Sequence, residues 1–440
     1  MKKFRFALVG MVAVVALGLS ACSGGGSSGS AASGQATFNP NEKVTLNMTW
    51  WGNADRASRY AEAIKAFNVK YPNVTVQTSF AAWADYWPAR STEAASHSLP
   101  DVMQFDLSYI REYSQNGQLL DLQSYVDNHT IDLSTFDPNL VKSGSLSGKQ
   151  VGIPTSTNTL AMFTNEPVLK QLGISLPDTS TYTWADYNTF LAKAAAAGAK
   201  SSDGHQLYGG NDYTGTFWFF IQWLLQKGIT PFKDDGTLGF TKSDVVDFLN
   251  LTGNLRSAKQ LYPIDRQVAL TPKDGFTTNE AASEMSWDNF LAQFTTDSGS
   301  TIKIVPLPSV DTGKKDLFYK PSMLLASGAN TKHAAAAATL INFLLNDPQV
   351  GSIFGTSKGV PAAKTQRDAI KADPSSIDGQ VIAYEEQVAK QVTKPTPLPV
   401  KGFGTIEAKW LSLAQDLDYG KTTPSDFADQ WFAEAAIDMK

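Results

Sequence analysis

Tryptophans stand beside carboxylates and amides at four places in this chain. Trp50 and Trp51 precede Asn53, Asp55 and Arg56; Trp83 precedes Asp85; Trp218 follows Asn211, Asp212 and Tyr213; Trp287 is followed by Asp288 and Asn289. An indole offers a flat apolar plane, and an Asp, Asn or Arg next to it offers directed hydrogen bonds. That pairing suits a ligand with an apolar face and a rim of hydroxyls, as a sugar ring has. It also suits an amine held by cation–π attraction, although an amine site wants more carboxylates around the aromatic box. With 10 Trp and 14 Tyr in 440 residues, the aromatics are the unusual part of the composition.

Each of these residues also has a structural reading. Trp50 continues the alternation of Val44, Leu46 and Met48 and is expected in the core, which turns Trp51 the other way. Trp184 begins a helix and reads as an anchor. Trp218 lies in an apolar helix and could serve core or ligand, whereas Trp83 and Trp287 are expected to face the ligand. Phe403, between Gly402 and Gly404, is either a ring at the edge of a cleft or a turn residue.

Catalytic constellations are sparse. Gly355-Thr356-Ser357-Lys358-Gly359 fits the Gly-x-Ser-x-Gly nucleophile elbow, but that fold needs its histidine after the serine, and His97, His129, His205 and His333 all precede it. There is no His-Glu-x-x-His and a single cysteine, so no metal site or cofactor is expected. Carboxylates are numerous enough that a glycosidase pair stays open. The formal charge of −5 and the lack of a basic stripe argue against nucleic acid.

The elements that must position these residues are legible. Val44 to Trp50 alternates as a strand, Asn53 can cap a helix carrying Tyr60, Ile64, Phe67 and Tyr71, and Val74, Val76 and Thr78 form the next strand. Leu99 to Phe105 reads as a third, so strands and helices alternate as in a parallel sheet. Ligands of such sheets bind beyond the carboxyl ends of the strands, which here carry Trp50, Trp51, Phe105, Asp106 and Tyr109. Further along, Gly152-Ile153-Pro154 and the polar run Thr155 to Thr159 suggest a crossover. Helices are expected from Trp184, over Phe217–Leu225, over Ala334–Leu345 and over Ala408–Leu417.

Compartment is written at the start. Lys2, Lys3 and Arg5 precede an apolar run from Phe6 to Leu19, too short for the roughly 20 residues of a membrane span, and Leu19-Ser20-Ala21-Cys22 closes it. Residues 1–21 read as a signal peptide, and Leu19 to Cys22 resembles the bacterial lipobox, whose cysteine is acylated. Residues 22–41 then form a lipidated linker, rich in Gly, Ser and Ala between Ser23 and Gly34. The expected location is the extracytoplasmic face of the cell membrane, reached through Cys22. What remains is long enough for two lobes.

The mature chain resembles the extracellular solute-binding proteins of ABC importers, in the carbohydrate-binding group that includes maltose-binding protein. The carriers are Leu99-Pro100-Asp101-Val102, Gly117 to Leu122, Gly152-Ile153-Pro154 with Phe163-Thr164-Asn165, Thr183-Trp184-Ala185-Asp186-Tyr187, Phe343-Leu344 with Pro348, and Gly359-Val360-Pro361-Ala362. One departure is Met285-Ser286-Trp287-Asp288-Asn289-Phe290, where the family has Gly-x-Trp. The resemblance implies a two-lobe α/β fold with a cleft between lobes joined by crossing segments. Its lobes would be 42–156 with 323–358, and 157–322 with 359–440. It implies a carbohydrate captured by hinge closure and passed to an ABC permease, with no catalysis, the chain acting as a monomer. Carried onto this sequence, the ligand set is Trp51, Asn53, Asp55, Trp83, Asp106, Asn158, Tyr213, Trp218, Trp287, Asp288 and Phe403. A glycosidase, or a lipoprotein that docks glycans at the surface, is the alternative.

Overall fold

The computed structural model describes residues 37–271 and 273–440; the leader, Cys22 and most of the linker lie outside them. Nine strands build two sheets: β1 (Val44–Trp51), β2 (Val74–Ala81), β3 (Val102–Phe105), β4 (Ile153–Asn158), β5 (Leu160–Asn165), β6 (Ser283–Trp287), β7 (Ile302–Val305), β8 (Lys320–Ala326) and β9 (Val360–Pro361). The larger sheet has the order β9-β4-β8-β3-β1-β2 and the smaller one β6-β5-β7. β1, β2 and β3 pair in parallel and β4 runs the same way, whereas β8 and β9 run antiparallel to their neighbours, so the expected parallel sheet becomes mixed beyond β3.

Each sheet has its own core, and this makes two lobes. In the first, Val44, Leu46, Met48 and Trp50 point inward from β1 and meet Tyr60, Ile64 and Phe67 of helix α1 (Ala54–Lys70). Asn53 caps α1 by accepting from the N–H of Arg56 at 3.0 Å. Below the sheet, α2 (Trp83–Ala95) and α3 (Leu107–Gln115) bring Tyr86, Trp87, Ile110 and Tyr113 against Phe105. The second lobe packs α4 (Trp184–Ala196), α5 (Phe217–Gln226) and α8 (Phe403–Asp418) around one aromatic core. Trp184 is the expected anchor: it is buried, its indole N–H donates to Gln226 at 2.8 Å, and Thr183 caps its helix in a full capping box.

The chain passes between the sheets at three places. Thr159 separates β4 from β5, with its N–H on Asp288 Oδ2 and its hydroxyl on the carbonyl of Phe318, both at 3.0 Å. Phe318 belongs to the second core, while Lys320 already pairs with Asn158 in the first sheet. After β9, residues Lys364–Ile370 pack on α6 (Pro348–Phe354), and α7 (Ile377–Val388) lies in the second lobe against Ala161 and Phe163. Gly359 is needed at the edge of this region: its φ is +92°, and a Cβ there would stand 2.6 Å from the Thr157 carbonyl. Among the described residues no helix is long and apolar enough to cross a membrane.

Candidate functional site

The carboxyl ends of the parallel strands carry an aromatic wall. Trp51 closes β1, and its ring meets Trp83 edge-on at 5.0 Å and Tyr86 at 5.4 Å. Trp87 lies beneath, stacked on Tyr109 at 3.8 Å with planes 19° apart. The inner rings therefore fix the outer ones, and edge-on and offset contacts of this kind add about 0.5–1.5 kcal/mol each beyond burial. Trp83 is 47% exposed although every ring around it is at least half-buried, so this wall presents an indole to solvent. Trp83 is the first residue of α2, where the helix has no side-chain cap to cover it.

A second aromatic cluster lies in the other lobe, mostly buried. Trp287 ends β6 in register with Leu160, and Trp218 opens α5; their centroids are 5.4 Å apart at 73°. Phe318 and Phe403 back them, Phe403 at 5.2 Å from Trp218. The Lys320 ammonium lies 5.8 Å from the Trp218 ring and 5.5 Å from that of Trp287, a cation–π contact to both. Glu407, one turn along α8 from Phe403, accepts from the Trp218 indole. Burial raises its carboxyl above the usual range, Lys320 opposes that, and Asp106 of the first lobe adds to it.

The remaining sequence-predicted residues divide. Asn53 is occupied as the α1 cap, and Asp55 is exposed and paired with Arg59 at 2.9 Å. Asp106 caps α3 through the N–H of Ser108 at 2.9 Å while keeping its place at the end of β3. Asn158 ends β4 with its side-chain carbonyl buried and without a hydrogen-bond partner. Three do not line either wall. Tyr213 is 4% exposed, packs on Trp184, and its hydroxyl donates to Asn188 at 3.1 Å. Phe403 is buried behind Trp218. Asp288 turns away from its neighbour Trp287 into the crossing, because consecutive residues at a strand end point to opposite sides. Burial pushes its carboxyl up to about 7.

Lys320 and Glu407 were not read from the sequence. Lys320 offers only the start of a Pro-containing strand as a signal, whereas Glu407 follows Phe403 at helical spacing after Gly402, a cue of the kind that places two side chains on one face. Between the lobes there is also a cavity of about 530 Å³, lined by Arg111, Lys142, Phe232, Asp234, Lys394 and Leu398 among others, which shares no residue with the two walls. The Ser357 of the apparent nucleophile elbow is exposed in a turn, and neighbouring Thr356 bonds Asp378.

Residues 62–378 match the sequence profile of the bacterial extracellular solute-binding proteins. The chain belongs to that family. Solved structures agree with the two-lobe architecture of a solute-binding protein. One, an extracellular solute-binding protein family 1 from Alicyclobacillus acidocaldarius, is 28% identical with a TM-score of 0.72, over 89% of this chain and 97% of the other. A periplasmic oligogalacturonide binding protein from Yersinia enterocolitica is 22% identical, TM-score 0.75, over 88% and 97%. The GacH receptor of Streptomyces glaucescens, solved unliganded and with acarbose, is 17% identical, TM-score 0.65, over 90% and 99%.

Proposed function

We propose that this solute-binding protein captures an oligosaccharide between the two aromatic walls and delivers it to an ABC permease. The observation that carries the reading is the exposed indole of Trp83 on one lobe and, on the other, the half-buried Trp287 backed by the buried Trp218, with Asp106, Lys320 and Glu407 as the polar set. Indoles suit the C–H faces of sugar rings, and the polar set suits their hydroxyls. Three relatives of this fold point the same way by name, binding oligogalacturonide, cycloalternan and acarbose.

In this reading the lobes turn about the crossings at Thr159, at Phe318–Lys320 and beyond Ile370, and closing brings the walls together. Hinge closure of periplasmic binding proteins is the general example of such motion. The closed form is what a permease meets, and acylation of Cys22 keeps the protein, as a monomer, at the membrane face where that permease sits. No cofactor enters. Asn158, in a crossing strand, would give its free carbonyl to a ligand hydroxyl.

A thermal-shift screen of the purified protein against mono- and oligosaccharides tests this. A ligand at 100 times its Kd adds about 2.7 kcal/mol, enough for a shift of several degrees. The sugar should be recovered intact by chromatography. Steady release of smaller sugars would instead support a glycosidase.

A further inference from the structure

We propose that the captured sugar carries a carboxylate, received between Arg56 and Lys358 at the hinge end of the cleft. The inference rests on the carbohydrate reading above and specifies its charge.

Lys358 stands in the turn before β9. Its backbone carbonyl accepts from the hydroxyls of Ser156 and Ser322, which pins the main chain and leaves the side chain reaching toward the first lobe. The ammonium lies 3.6 Å from the ring centroid of Phe354 and 5.1 Å from that of Tyr60. Among the described residues it has neither an ion pair nor a hydrogen bond. The one charged group that bears on it is Arg56, of the same sign, and burial with that repulsion holds it down at about 7.

Arg56 is placed just as firmly. It lies in the first turn of α1, its stem fits against Gly52, where a Cβ would stand 2.8 Å from Cδ, and Nη1 donates to the carbonyl of Trp51 at 2.8 Å. Nε and Nη2 make no bond within the described protein. Asp55, the acid that acts on it, is exposed and engaged by Arg59. Two half-buried cations, Arg56 against Trp51 and Lys358 over Tyr60 and Phe354, thus act on each other without an acid paired to either among the described residues.

Such an arrangement is unfavourable in the empty protein, since a buried charge is tolerated when it is paired. An entering carboxylate relieves both. Its two oxygens match the free Nε–Nη2 edge of a guanidinium, and an ammonium alongside adds a charge-assisted bond. At the wall end, by contrast, Lys320 has an acid partner in reach, since its charge acts on the Glu407 carboxyl. The cleft is therefore positive at the hinge and mixed at the walls, which fits an oligosaccharide with a uronate at its hinge end.

Calorimetry on the full protein tests this with dimers of galacturonic, glucuronic and mannuronic acid, their methyl esters, a sulfated disaccharide and maltotriose. The expected result is that one uronate dimer binds at least about tenfold more tightly than its ester, with the difference shrinking as salt rises. Lys358→Met, which keeps a stem over Phe354 and Tyr60, and Arg56→Gln should each remove about that factor for the acid and leave the ester within twofold. Equal binding of acid and ester, or tighter binding of the sulfated sugar, overturns the carboxylate while the carbohydrate reading stands. Binding of none of these sugars removes both. If Lys358→Met fails to fold, Arg56→Gln and the acid-to-ester ratio of the wild type still decide.

Discussion

The hydroxyl of Thr157 lies 2.8 and 2.6 Å from the two carboxyl oxygens of Glu385, tying crossing strand β4 to α7 in the other lobe. Asp288 stands beside Glu385: burial raises both carboxyls, the charge of Asp288 raises Glu385 further, and the hydrogen bond between the two holds Asp288 down in turn, with Thr157 and Arg367 opposing at Glu385. The tie between lobes therefore contains a proton at neutral pH.

Its consequence for stability has a definite sign. Below about pH 3 folded and unfolded forms both carry the protons. As pH rises toward 7 the unfolded chain loses them and the folded one keeps them, so stability should fall, by up to about 1.4 kcal/mol per pH unit for each proton held. Glu284 and Asp418, each pushed up to about 8 chiefly by burial, act in the same direction. Glu385→Gln, neutral at every pH, should flatten the dependence and exceed the wild type at pH 7. Urea melts at pH 4.5, 6 and 7 supply the comparison; parallel curves for the two proteins would mean that the pair is ionised in the fold.

Tyr213 provides a check on the assignment of core against cleft. Tyr213→Phe loses only the bond to Asn188, so it should lower stability by about 1 kcal/mol and leave ligand affinity unchanged. A tenfold loss of affinity in calorimetry would return the residue to the binding set.

Anchoring is tested at a residue outside the described fold. Cys22→Ser removes the acyl site alone, and two or more chains are what make anchoring firm. The protein should move from the membrane fraction to the soluble one with its melting point and affinity intact. Retention in the membrane fraction would show that another feature holds it.

How much was legible follows from what each signal encodes. The β1–α1 unit was readable because alternation and an Asn cap are local properties, and so was Trp184, whose Thr-Trp-Ala-Asp start is itself the capping box. Tyr213 and Asp288 were not, since a polar residue near a tryptophan does not say which way it turns; Asp288 points opposite to Trp287 because a strand ends there. Lys320 and Glu407 meet at Trp218 from three distant stretches of chain, and no spacing in a linear sequence records that. The mixed sheet escaped for the same reason, as β8 enters between β3 and β4 only after the chain has built the sheet of the second lobe.

Three tryptophans separate site from scaffold. Trp83 is 47% exposed, so Trp83→Ala removes little buried surface and should leave stability nearly unchanged, while costing about 2 kcal/mol of affinity if it stacks on the ligand. Trp184 is the opposite case. It is 3% exposed, bonded to Gln226 and packed on Tyr213 at 4.8 Å, so its truncation should cost about 3–5 kcal/mol of stability and leave affinity in the folded fraction unchanged. Trp287, half-buried against Trp218 and Phe318, stands between them and should lose on both measures. Calorimetry and urea melts on the three variants resolve the pattern. If Trp83→Ala binds as tightly as the wild type, the exposed indole is not a ligand platform, and the first-lobe wall loses its role.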